Sequence, residues 1–139
     1  MTSLVLDASI TLCWCFEEEA TPATDQLLER LQLESAAVPM FWYLEIANVL
    51  AVAERRRRIT AADTAEFIEL LETLMIDLDH ETPARAFGRV LDLARSERLT
   101  AYDAAYLELS MRLGVPLATK DGALGGAATR LGVMVLGAD

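Results

Sequence analysis

Short apolar runs alternate along this chain with longer stretches whose apolar residues recur every three or four positions. Leu4-Val5-Leu6 is continuous and closed by Asp7, as expected of a strand buried on both faces. Ala36 to Val38, Ile76 to Leu78, Val115 to Thr119 and Val133 to Leu136 repeat that pattern. Helical periods lie between them. Ala8 to Phe16 forms one, and Thr21-Pro22 opens another, with Pro at the first helical position and Leu27, Leu28 and Leu31 as its stripe. From Phe41 to Arg58 the pattern is strongest, with Trp42, Ile46, Val49, Leu50 and Ala53 on one side. Thr60 and Asp63, and again Thr100 and Asp103, stand three residues apart, the spacing of a capping box. They open helices reaching Leu74 and Leu113, the second stopped by Gly114. Pro83 to Glu97 and Gly122 to Leu131 complete the set. This alternation predicts an α/β fold with a central parallel sheet and helices on both faces. No repeat or linker interrupts it, so residues 1–139 are read as a single domain.

Composition supports a packed core, since 53% of the 139 residues are hydrophobic. The N-terminus has no basic segment ahead of its apolar run, and no apolar stretch nears the ~20 residues that span a bilayer. The expectation is a cytoplasmic protein with no membrane partner. Cys13 and Cys15, one residue apart in an apolar segment, read as reduced thiols. His80 is the single histidine, which argues against zinc sites and histidine triads and suits a surface position. The formal net charge of -10 changes the picture more. A protein that held nucleic acid by charge alone would be basic. Either nucleic acid is not the substrate, or the acids gather divalent cations that bridge to phosphate while a local basic patch assists.

Several of those acids sit where a parallel sheet binds ligands, beyond the carboxyl ends of its strands. Asp7 directly follows the first strand, and Asp121 comes just after the fourth. Asp103 lies in the first turn of a helix entering from the same edge. Glu45 is on the apolar flank of its helix, near Asn48, where a carboxylate is costly unless paired or bound to a cation. Each has a plainer reading: Asp7, Asp103 and Asp121 as helix-capping or turn residues, and Glu45 as the partner of an arginine. Four coincidences on one rim favour a shared site. Such a cluster suits phosphodiester hydrolysis, in which Mg²⁺ or Mn²⁺ neutralises charge on phosphate and activates water. Ser9, Asn48 and Thr119 are candidate donors to the carboxylates. Arg55, Arg56, Arg57 and Arg58 form the one dense basic run, either a phosphate-contacting patch or a solvated helix end. Lys120 is within reach of the same role. Glu17, Glu18 and Glu19 read as a solvated loop or helix end, and most of the aromatics as core.

Val5-Leu-Asp-Ala-Ser9, Pro39 through Trp42-Tyr-Leu-Glu-Ile-Ala-Asn48, Leu99-Thr-Ala-Tyr-Asp-Ala-Ala-Tyr-Leu107 and Leu117-Ala-Thr-Lys-Asp121 together resemble the motifs of PIN-domain ribonucleases. More narrowly they resemble VapC-type toxins of toxin–antitoxin modules. The resemblance covers essentially the whole chain. It implies a three-layer α/β/α PIN-like domain that cleaves RNA, forms homodimers and is inhibited by a cognate VapB-type antitoxin. By the same resemblance Asp7 and Asp103 are the direct Mg²⁺ ligands, while Glu45 and Asp121 act through water or on a second ion. Two other readings compete: a metal-dependent phosphatase or phosphotransfer domain, and a catalytically inactive antitoxin-binding module. A dehalogenase-like phosphatase wants a second aspartate two residues after the first, where this chain has Ser9.

Overall fold

The structure is a computed structural model and describes residues 2–137. Its centre is β1 (Thr2–Leu6), whose Leu4, Val5 and Leu6 are wholly buried. The described residues form a five-stranded sheet in the order β3-β2-β1-β4-β5, with β2 at Ser35–Pro39, β3 at Ile76–Asp79, β4 at Leu117–Ala118 and β5 at Val135–Leu136. Every pairing is parallel. The chain builds outward from β1 to β2 and β3, then returns to lay β4 and β5 on the other side. Strand order therefore reverses beside β1, which opens a crevice at the carboxyl edge there.

Helices cover both faces, giving the three-layer α/β/α arrangement. They are α1 (Ala8–Cys13), α2 (Pro22–Leu31), α3 (Trp42–Arg55), α4 (Ala61–Glu72), α5 (Thr82–Arg85), α6 (Leu91–Glu97), α7 (Ala101–Leu113) and α8 (Gly122–Arg130). Thr21 caps α2 through a reciprocal box with Thr24, and Thr60 caps α4 through one with Asp63. The expected face of α3 is buried at Trp42, Ile46, Leu50 and Ala53, and Val49 is half-buried. Most residues of α7 are buried, and this helix packs on both β1 and β2. It ends at Gly114, whose φ of +67° is a left-handed conformation that only glycine adopts without strain.

Three expectations need correcting. The helix expected over Pro83 to Glu97 is not one regular α-helix: Ala86–Val90 forms a wide π-helical turn between α5 and α6. Glu17–Glu19 is a short, largely exposed 3₁₀ turn that is not left wholly to solvent, since Glu18 and Glu19 both bind Arg58. Thr100 caps α7 by accepting from the Asp103 backbone, but the reciprocal bond of a full box is not made. Cys13 and Cys15 are free thiols, and His80 is exposed. Among the described residues no helix is long and apolar enough to cross a membrane.

Candidate functional site

Asp7 leaves β1 at the N-cap position of α1, yet its carboxylate makes no capping bond. It is instead drawn toward the end of β4. The Thr119 hydroxyl donates to Asp7 Oδ2 at 2.6 Å and the Ser9 hydroxyl to the same oxygen at 2.8 Å. Oδ1 receives neither of them. Each hydroxyl is in turn held by a backbone amide. Lys120 N–H donates to Ser9 Oγ at 3.0 Å, and Asp121 N–H donates to Thr119 Oγ1 at 3.0 Å. The turn after β4 thus orients two donors that fix one oxygen of a buried carboxylate. Burial pushes the Asp7 carboxyl above its ordinary range, the two hydroxyls and the nearby Ser9 amide pull it back, and the Asp121 charge adds to the rise.

Asp103 and Asp63 occupy equivalent positions in helices that begin alike, and the difference between them is informative. Asp63 closes its box, its Oδ2 accepting from Thr60 N–H at 2.9 Å. Asp103 is half-buried and sits close enough to Asp121 and Asp7 to feel both charges. Burial first, then Asp121 and Asp7, raise its carboxyl to about 6, against the pull of Thr100. The helix start therefore supplies the position without closing a capping box on the carboxylate.

Glu45 reaches the same group of charges from α3. Its Oε1 accepts from the Tyr106 hydroxyl at 2.6 Å. Burial raises the Glu45 carboxyl, Tyr106 lowers it, and the charges of Asp7 and Asp103 raise it further. Asp121 is exposed and caps α8, its Oδ1 accepting from Leu124 N–H at 2.8 Å. Its plainer reading as a cap is therefore real, and its charge is still felt at Asp7 and Asp103.

Four carboxylates from three helix starts and one helix flank thus gather around the carboxyl edge of the sheet, the charge of Asp121 acting on Asp7 and Asp103 and the charges of those two acting on Glu45. They do not form a closed cage. Among the described residues no three Asp, Glu, His or Cys groups are gathered tightly enough to enclose an ion. Mg²⁺ does not need such a cage, because it is commonly held by one or two carboxylates and keeps several waters. The all-oxygen donor set and the raised carboxyls fit a hard divalent cation.

The remaining candidates divide. Ser9 and Thr119 touch Asp7 directly. Asn48 is exposed and lines a cleft with Val52, Arg56 and Arg58 instead of joining the bonds around Asp7. Arg58 lies over the Phe16 ring, 3.7 Å from its centroid, and pairs with Glu18 and Glu19, which leaves Arg55, Arg56 and Arg57 as the exposed remainder of the basic run. Lys120 Nζ donates to the Glu19 carbonyl at 3.2 Å. Tyr106 is the residue to which the sequence assigned no role. Burial, the Asp7 charge and the bond to Glu45 push its phenol far up, so it stays a proton donor.

The raised Asp103 carboxyl, a product of burial first and of neighbouring charge second, has a measurable consequence. Because the folded Asp103 carboxyl sits near 6 against an ordinary 3.8, its ionisation opposes folding, and this cost grows as pH rises from about 4 through 6. In chelator-containing buffer, Asp103→Asn is expected to melt above the parent at pH 7, with the gap narrowing by pH 5. Thermal unfolding followed by circular dichroism reads this directly. A gap that does not change with pH means that neither burial nor the neighbouring acids raise the Asp103 carboxyl.

The PIN domain family model matches residues 4–128. Among solved structures, the chain is similar to the crystal structure of PAE2754 from Pyrobaculum aerophilum, with TM-score 0.71 and 22% identity over 96% of this chain and 83% of that one. It is also similar to a toxin–antitoxin complex from Klebsiella pneumoniae, with TM-score 0.54 and 19% identity over 86% of this chain and 87% of that chain. Identities this low speak for the fold alone. No curated protein matches the sequence. The family match spans most of the chain and includes Asp7, Glu45, Asp103 and Asp121, and the protein belongs to the PIN-domain family.

Proposed function

We propose that this protein is a metal-dependent ribonuclease that hydrolyses RNA phosphodiester bonds at the rim defined by Asp7, Glu45, Asp103 and Asp121. The observation that carries this reading is that one rim brings Asp7, Glu45 and Asp103 together with their carboxyls raised, by burial first and by the charges of neighbouring acids after it. Groups that repel one another in this way gain most from a cation. PIN domains are typically nucleases, which agrees with that chemistry. A bound Mg²⁺, or Mn²⁺ in its place, supplies neutralisation of phosphate charge and activation of the attacking water. Asp7 and Asp103 hold it directly, and Glu45 and Asp121 reach it through water or serve a second ion. Ser9 and Thr119 keep the Asp7 carboxylate turned for this task. Arg55, Arg56 and Arg57, with Lys120, offset the net charge of -10 where RNA approaches.

The likeness to a toxin–antitoxin complex, together with the motif resemblance, supports a narrower version. On this reading the chain is a VapC-type toxin, active in the cytoplasm as a homodimer and inhibited by a VapB-type antitoxin. The deciding experiment incubates the purified protein with single-stranded RNA in Mg²⁺, in Mn²⁺ and in EDTA, with a small phosphomonoester alongside. Cleavage that requires the cation and is abolished by EDTA is the expected result. Phosphate release from the monoester without RNA cleavage moves the protein to the phosphatase class. No turnover of either, with antitoxin binding retained, makes it an inactive binding module.

A further inference from the structure

Tyr106 sits one turn beyond Asp103 on α7, wholly buried, with its hydroxyl 2.6 Å from Glu45 Oε1. We propose that Tyr106 is a positioning residue for the acid cluster: its buried hydroxyl holds the Glu45 carboxylate in one orientation, ready for a divalent cation. This rests on the ribonuclease reading and adds to it a residue that makes no contact with substrate.

The argument begins with freedom. Glutamate has three rotatable bonds, and a half-exposed one on a helix flank ordinarily samples several rotamers. Tyr106 has almost none to sample. The edge-to-face contact with Phe41, centroids 5.4 Å apart at 89°, fixes its ring, and α7 is packed on β1 and β2. A rigid donor therefore meets a flexible acceptor, and the acceptor is the one that becomes ordered. Because α7 also carries Asp103, the bond ties Glu45 of α3 to the helix that presents a second acid of the cluster. With Oε1 engaged, Oε2 is the oxygen the phenol leaves unclaimed. Phe41 extends the brace outward, its ring lying 5.2 Å from that of Tyr102 at 86°.

Mn²⁺ binding without RNA, read by the loss of the free-ion electron paramagnetic resonance signal, tests this independently of turnover. RNA cleavage against Mn²⁺ concentration is measured in parallel. Tyr106→Phe keeps the ring and removes only the hydroxyl. It is expected to need about tenfold more Mn²⁺ for half-saturation and for half-maximal cleavage, the usual effect of losing a group that orients a ligand. Adding Tyr106→Phe to Glu45→Ala should cost nothing further, since alanine leaves the phenol no acceptor to orient. Phe41→Leu, which loosens the ring but keeps the hydroxyl, gives a smaller fall in the same direction, and all titrations are run in the cold so that each variant stays folded. Parent-like Mn²⁺ affinity in Tyr106→Phe overturns the inference, as does an equal loss with and without Glu45→Ala. A parent that neither binds Mn²⁺ nor cuts RNA overturns the ribonuclease reading and this inference with it.

Discussion

On the proposed ribonuclease reading, Asp7→Ala and Asp103→Ala are each expected to lower RNA cleavage by about a thousandfold or more while the chain remains folded. The size follows from what a divalent ion contributes, several kcal/mol of charge stabilisation at about 1.4 kcal/mol per factor of ten. His80 is exposed, the Cys13 thiol donates to the Ser9 carbonyl, and neither His80 nor a cysteine is among the groups that act on Asp7, Glu45 or Asp103. The two variants differ in their effect on the fold. Removing Asp7 strands the hydroxyls of Ser9 and Thr119, the latter buried, at a cost of about 1 kcal/mol for a lost acceptor. Removing Asp103 strands nothing comparable, because the bond from its backbone to Thr100 Oγ1 persists, and it relieves repulsion from Asp7 and Asp121. Asp103→Ala should therefore lose activity with stability equal to or above the parent. A gel-based cleavage assay and a melting curve on each variant check both halves. Cleavage at the parent rate in either one removes that residue from the site.

The contrast between Asp63 and Asp103 marks how far the sequence could be read. Both follow a threonine by three residues, and both sequences correctly placed a helix start. Periodicity says nothing of what surrounds the carboxylate afterwards. Asp63 turns back to its own helix, and Asp103 faces acids brought from residues 7 and 121 by the parallel sheet. The strands were legible for the same reason the site was: runs such as Leu4-Val5-Leu6 are buried on both faces, and the first polar residue beyond them emerges at the rim. The π-helical turn was not legible, since one extra residue per turn leaves the apolar spacing nearly intact over so short a span. Phe87 and Gly88 are carried outward there, and Val90 and Leu93 still meet the core.

Long-range polar partners were beyond reach altogether. Nothing local signals that Glu18 and Glu19 meet an arginine some forty residues on, stacked upon Phe16. Tyr106 was visible as part of a motif, but its bond to Glu45 crosses 61 residues and depends on how α3 and α7 pack. The same limit hid Arg112, which anchors the helix that presents Asp103 and Tyr106.

Arg112→Met is expected to cost about 3 kcal/mol of stability at pH 7, the lower end of what removing one partner from a buried ion cluster costs. The guanidinium faces two carboxylates at once. Nη1 and Nη2 donate to Asp79 at 2.9 and 3.0 Å, while Nε and Nη2 both donate to Glu108 at 2.9 Å. Glu81 is a third, exposed partner. The Glu108 side chain is 3% exposed, so methionine would leave a charge with neither water nor a cation. Asp79 has a second task, accepting from the Thr82 amide and hydroxyl at the start of α5. The cluster thus joins the end of β3 and the start of α5 to α7. Adding Glu108→Leu should recover much of the loss, since the stranded charge then disappears while Asp79 keeps Thr82. The pH dependence has the opposite sign to that of Asp103. Burial pushes the Asp79 carboxyl up, but the bonds and charge of Arg112, with Thr82, outweigh it and hold the group at about 2 against an ordinary 3.8. That stabilisation is complete above about pH 4 and is lost as pH falls toward 2, so the parent's advantage over Arg112→Met should shrink across this interval. Urea unfolding at pH 7 and at points between 4 and 2 measures both effects. A parent-like Arg112→Met at pH 7 would mean that α7, and the acids it carries, are held by apolar packing alone.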